Sequence, residues 1–194
     1  MIVEATPFII PFAMEVIQQP DYLDKAAILN SLALTAWYAV HGVKSVREMR
    51  LSIATYDALM VGFDTFWINL EDNDARIRKS AVSILSCFQE RAVSVLDRLI
   101  DRYEAETDLT VRLEIVHKTG VLLVNSKHYI GEHYSEYRNF IVERMQPSHD
   151  IRERFGAATI VPDLYYSLPD DVRENIDAIT QEYERSLPTD PIEF

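Results

Sequence analysis

The residues best equipped for chemistry lie between 127 and 134. His128, Glu132, His133 and Tyr134 gather imidazole and carboxylate groups in one short stretch. His-x-x-x-Glu-His superficially resembles a metal-binding helix. The inverted zinc motif needs two residues between the first His and the Glu, and this chain has three. Gly131 breaks the stretch further, so the spacing predicts an exposed connecting loop and no metal site. Cys87 is the single cysteine. It excludes an intramolecular disulfide and a cysteine-based zinc site, and its place beside Phe88 on an apolar helix face predicts a buried, inert thiol. The acidic pairs Glu71-Asp72 and Asp170-Asp171 fall at helix starts, where capping and the helix dipole account for them. His117, next to Lys118, reads as a surface histidine. The chain has no Gly-x-Ser-x-Gly, phosphate-binding loop, dinucleotide fingerprint or His-Glu-x-x-His. No catalytic constellation and no cofactor are expected.

The spacing that does recur belongs to structure. Asp74-Ala75-Arg76-Ile77-Arg78 returns as Asp108-Leu109-Thr110-Val111-Arg112, with Ile77 and Val111 34 positions apart, a helical-repeat period. Each Asp precedes an apolar-periodic run, where its carboxylate can accept the free N–H groups of a first helical turn. Ile77, Ala81, Ile84, Leu85 and Phe88 form one stripe. Ala92, Val95, Leu96, Leu99 and Tyr103 form a second, and Val111, Ile115 and Leu122 a third. Only Gln89-Glu90-Arg91 separates the first two, which predicts that these helices fold back on each other as a hairpin. Such hairpins carry more apolar surface than two helices can cover, so neighbours must stack. Arg78 and Arg112 then hold equivalent places, as rungs that bridge to a neighbouring acid or cap a carbonyl.

These residues resemble HEAT repeats, the two-helix units of armadillo-like α-solenoids, through the Asp-x-x-Ile/Val-Arg opening of the second helix of each pair. Pro11-Phe12, followed by Asp21 and Lys25, is similar to a divergent first repeat. Ser148 with Ile151-Arg152 repeats the spacing with Ser in place of Asp. The resemblance implies an all-α fold, a right-handed α-solenoid of about four helix pairs plus a C-terminal capping helix. One domain would span 1–187, with 188–194 an extended tail.

Along the chain, Thr6 is the expected cap and Pro7 the first position of a helix over 5–18. Pro11 is awkward inside it and would shift the start toward Ile10. Asp21 would cap a second helix to about Val40. Gly42 ends it, and Lys44, Arg47 and Arg50 form a basic connector. Further helices are expected at 51–70, with Ile53 on its inward stripe, at 133–145, from Pro147-Ser148 to Val161, and at 170–186.

The 194 residues carry 31 acidic and 19 basic side chains, a net charge of −12. From Glu132 onward there are 14 acidic and 6 basic residues. This balance lacks the basic footprint of nucleic-acid binding. The start Met1-Ile2-Val3-Glu4 is not that of a signal peptide, and no apolar run has membrane-spanning length, so a cytoplasmic protein without membrane contact is expected.

Aligning second helices on Lys25, Arg78, Arg112 and Arg152 places Asn30, Ser83, His117 and Ala157 in one row. A second row holds Trp37, Glu90, Val124 and Leu164, flanked by Tyr38, Arg91, Asn125 and Tyr165. Trp37, Tyr38, His41, His117, Asn125 and Tyr165 are therefore the candidate partner-binding residues, since aromatics on an exposed face serve as interface anchors. The expected function is a non-enzymatic protein–protein interaction scaffold that uses a concave face. Its partner is another protein, basic in charge, as for an immunity or antitoxin-like inhibitor, and the scaffold is a monomer or weak homodimer. The alternative implied by the resemblance is a HEAT-like enzyme of the bilin lyase or DNA glycosylase type.

Overall fold

A computed structural model describes residues 4–19, 24–43, 45–164 and 170–187, with side chains omitted at 161–164, 170, 171 and 173. All regular structure among them is helical. The helices are α1 (Thr6–Ile17), α2 (Lys25–His41), α3 (Val46–Val61), α4 (Phe63–Asn69), α5 (Ala75–Leu85), α6 (Ala92–Ala105), α7 (Leu109–Asn125), α8 (Lys127–Ile130), α9 (Tyr134–Arg144), α10 (Ile151–Leu164) and α11 (Asp170–Ser186), with 3₁₀ turns at Gln89–Arg91 and Gly131–His133. No helix among the described residues is long and apolar enough to cross a membrane.

The caps form where the repeated Asp predicts them. Asp74 accepts from Arg76 N–H at 2.8 Å, and Asp108 accepts from Thr110 N–H at 2.8 Å and Val111 N–H at 3.2 Å. Beyond them, Ile77, Ala81, Ile84 and Leu85 of α5 are buried, as are Val111, Ile115 and Leu122 of α7.

Packing departs from the expected hairpin. The helix α6 lies chiefly on α7 rather than folding back on α5, while α5 packs between α2 and α7 with α4 on its outer side. The sequence α2, α5, α7, α10, α11 is thus a row of successive neighbours. The helices α1, α3, α4, α6 and α9 lie against that row. The Gln89–Arg91 turn carries the chain from the row to the outer helices, so its shortness reports a change of direction and not a close pair.

Several boundaries also differ. Helix α1 begins at Thr6 itself, with Ala5 as an N-cap that makes no side-chain bond, and it runs through Pro11 without waiting for Ile10. Asp21 lies outside the described residues, and Asp24 precedes α2. The expected helix over 51–70 starts earlier, at Val46, where Ser45 accepts from Glu48 N–H at 3.3 Å. It then breaks at Gly62, against which Met14 of α1 is packed. Arg47 and Arg50 therefore belong to α3 and not to a connector, while Lys44 lies outside the described residues. Ile53, expected inward, is 56% exposed. The 127–134 loop is instead two short helical turns separated at Gly131, whose φ is 56°.

The cap of α10 is Asp150, not Ser148. Asp150 accepts from Arg152 N–H at 2.8 Å. Its carboxylate also holds the Arg152 guanidinium, as Asp74 holds that of Arg76. Arg154, four residues past the cap, is then the counterpart of Arg78 and Arg112. The register moves by two, so Ala157 is fully buried and exposed Thr159 takes its place in the surface row.

With that correction the rungs are regular. Lys25 pairs with Asp72 at 3.0 Å, Arg78 with Glu106 at 2.8 Å, Arg112 with Glu153 at 2.6 Å and Arg154 with Glu182 at 2.8 Å. Each links a row helix to chain belonging to the next helix along. Arg78 also donates to the Asp72 and Asn73 carbonyls at 2.9 and 3.0 Å, so its guanidinium is buried with partners on several sides. Close approach matters once more at Gly120, where any Cβ on α7 would run into Ile160 of α10.

Candidate functional site

Helix length creates the site. Helices α2 and α7 have 17 residues each, and α5 between them has 11. At about 1.5 Å per residue the flanking helices outrun α5 by roughly 9 Å. Their C-terminal turns meet beyond its end.

Trp37 and His41 are four apart on α2 and so share a face. Their rings stack with centroids 3.8 Å apart at 20°. His41 Nδ1 is 3.1 Å from the Trp37 carbonyl, and Nε2 is 3.4 Å from Asn125 Nδ2 on α7. The imidazole thus spans the two helices, from the Trp37 carbonyl on α2 to the Asn125 amide on α7. Lys118 Nζ lies 4.9 Å from the Trp37 ring centroid, a cation–π contact. Trp37 is 37% exposed, so the cluster presents an indole braced by neighbours on two helices.

The structure thus joins three of the expected residues, Trp37, His41 and Asn125, across 84 positions of sequence. Tyr38 is exposed on an adjacent face of α2, outside the stack. Tyr165 lies outside the described residues. Lys118 was missed, although it stands seven residues before Asn125, two helical turns down the same face.

His117 faces a different place. It lines a groove of about 360 Å³ with Lys79, Glu114, Arg152, Phe155 and Tyr183. Phe155 and Tyr183 stack there at 4.0 Å. His117 is exposed at the groove's rim, and partial desolvation there, then Lys118, pushes its pKa down, with Glu114 opposing. Glu114 accepts from Ser83 Oγ and stands 4.0 Å from Lys79 and 3.8 Å from Lys118. A second groove of about 560 Å³ between α2 and α5 shares Lys79 and is lined by Asn30, Arg76 and Ser83. The two grooves adjoin at Lys79.

Charge in these grooves is mixed, with Asp24, Asp72 and Asp74 facing Lys25, Arg76 and Lys79 in the larger one. Across α2, α5 and α7 the sole acidic residue is Glu114. The nearby Asp72, Asp74 and Asp150 each hold a cation of the same face. Further exposed acids lie elsewhere, at Glu174, Asp177 and Glu184 of α11 and at Asp57, Asp64, Glu136 and Glu143 of α3, α4 and α9.

Burial pushes the Cys87 thiol up to about 11, with Lys118 and Ser86 opposing, and its Sγ rests 3.6 Å from the Ser83 carbonyl. His128 packs on Tyr129, and His133 stands 3.8 Å from Glu136. No group of three His, Cys, Asp or Glu among the described residues is arranged to hold a metal ion.

No family model, curated protein or solved structure matches this chain. Its own geometry therefore carries the functional reading.

Proposed function

We propose that this chain is a non-enzymatic protein-interaction scaffold, a HEAT-like right-handed α-solenoid of four helix pairs closed by α11. The neighbour order from α2 to α11, and the rungs from Lys25 to Arg154, support the architecture. The observation that carries the function is the Trp37–His41–Asn125–Lys118 cluster. A half-exposed indole, held by stacking, a cation and an amide from two helices, loses little entropy when a partner covers it. The grooves beside it offer hydroxyl, amide and paired ionic groups for specificity. The acids of α11 steer a basic partner toward the molecule, as an immunity-type inhibitor steers a basic enzyme.

The test is capture of partners on immobilised chain, compared with Trp37→Ala/His41→Ala and with Glu143→Ala as an outer-helix control. A true partner should be retained by the control and lost by the double variant, with affinity weakened about 100-fold, the scale of a hot-spot deletion. Its association rate should fall as salt rises. Equal retention by the double variant would reject the site.

A further inference from the structure

The two ends of the helix row are finished differently. At the C-terminal end α10 is covered by α11, which buries Ile179 and turns Glu174, Asp177 and Glu184 to solvent. At the other end α2 packs on α5, α3 and α1, and no described residue covers its remaining side. That end is apolar. Phe8 is 75% exposed, Ile9 58% and Phe12 67%, all on α1, and Leu34 of α2 is 56% exposed. Phe8 and Phe12 lie one turn apart and form a ridge. Beside it runs a cleft of about 540 Å³ between α1 and α2, lined by Ala13, Ala27, Ile28 and Ser31, with Phe12 on one wall and the carboxylate Asp24 at one end.

We infer that this end docks a second copy of the same chain, the phenyl ridge of each copy seated in the α1–α2 cleft of the other about a two-fold axis. A ridge and a matching groove on one face meet the self-complementarity that an isologous contact requires. Charge selects the occupant. Two chains of −12 repel each other over most of their surfaces, but here charge is sparse: Glu15 on α1, Lys25 of α2 paired with Asp72, and Asp24 at the start of the cleft. A contact here also holds the two acidic α11 helices at opposite extremes of the dimer. Side by side, helices of 12 and 17 residues present a face on the order of 500 Å², against about 800 Å² per partner in a standard interface. The dimer is therefore weak and concentration-dependent. None of Trp37, His41, Lys118 and Asn125 lines this cleft, so variants at Phe8 and Phe12 leave that cluster intact.

Sedimentation equilibrium of the full chain decides it. The expected result is a mass rising toward twice the chain mass by about 100 µM, with dissociation on dilution. Added salt of about 0.5 M should tighten association several-fold by screening the self-repulsion. Phe8→Asp/Phe12→Asp should remain monomeric throughout, with unchanged helical circular dichroism, because both side chains are solvent-exposed in the monomer. Asp177→Asn on α11 should dimerise as the parent does. A chain that stays monomeric at about 100 µM in high salt, or a double aspartate variant that dimerises as well as the parent, would overturn the inference.

Discussion

Glu106 shows how much one side chain can carry. It is 3% exposed, yet its carboxylate accepts from Arg78 at 2.8 Å through both oxygens, from Arg102 at 2.9 Å, and from the N–H groups of Thr107 and Asp108 at 2.9 and 2.8 Å. Burial alone would raise its pKa. Arg78, the Asp108 N–H and Arg102 outweigh burial and hold it at about 2, below the ordinary 4.5. A carboxylate whose pKa is lower folded than unfolded stabilises the fold above the unfolded value and loses that contribution as pH falls. Stability should therefore drop between about pH 4.5 and 2, by about 3 kcal/mol for this group. Asp74 and Asp150 shift in the same direction chiefly through Arg76 and Arg152, and Asp108 through the Thr110 hydroxyl and the capped N–H groups. Urea titrations across that range should show the loss, with a shallower slope in Glu106→Gln. At neutral pH, Glu106→Ala leaves the Arg78 guanidinium buried without its carboxylate and should cost about 3–5 kcal/mol. A change below about 1 kcal/mol would mean that water reaches Arg78 and replaces its partner.

At the scale of the element, one rule governs α5, α7 and α10. An Asp caps the helix, and an Arg four residues on ties it to the next. The rule was legible at Asp74 and Asp108 because Ile77 and Val111 follow in phase. It was misread at α10, where Ser148 is itself a good capping type and Ile151-Arg152 mimics the expected pair. The choice is settled by Asp150 accepting the Arg152 N–H and by Arg154 being buried against Met145 and Glu182. Asp150→Ala should therefore destabilise the chain by about 1 kcal/mol, while Ser148→Ala at its exposed position should stay within about 0.5 kcal/mol. Chemical denaturation of both variants checks the assignment, and the reverse ranking would restore Ser148 as the cap. The Pro11 expectation failed for a related reason. Local propensity argues for a later start, but Ile10, Met14 and Ile17 of α1 are buried on one stripe, and that packing outweighs a lost backbone bond.

At the scale of the molecule, a row in which each helix meets mainly its neighbours should yield from its ends. Ile179 is fully buried and pins α11 on α10. Ile179→Ala should lower amide-exchange protection in α10 and α11 first, leaving α5 and α7 among the last to exchange. Uniform loss across all helices would point to a single cooperative core in place of a row.

The sequence by itself determined the helical character, the inward stripes of α5, α6 and α7, and the caps at Asp74 and Asp108. All of these depend on residues within a few positions of each other, where periodicity and capping chemistry act. It also placed Trp37, His41 and Asn125 among the surface candidates. Only the tertiary structure decided that α6 belongs with α7, that Arg154 completes the rungs, and that Lys118 joins the Trp37 stack while His117 beside it faces another groove. Those outcomes depend on how far α2 and α7 overreach the shorter α5 and on which helix each face meets. Contacts across 84 positions leave no local pattern to read.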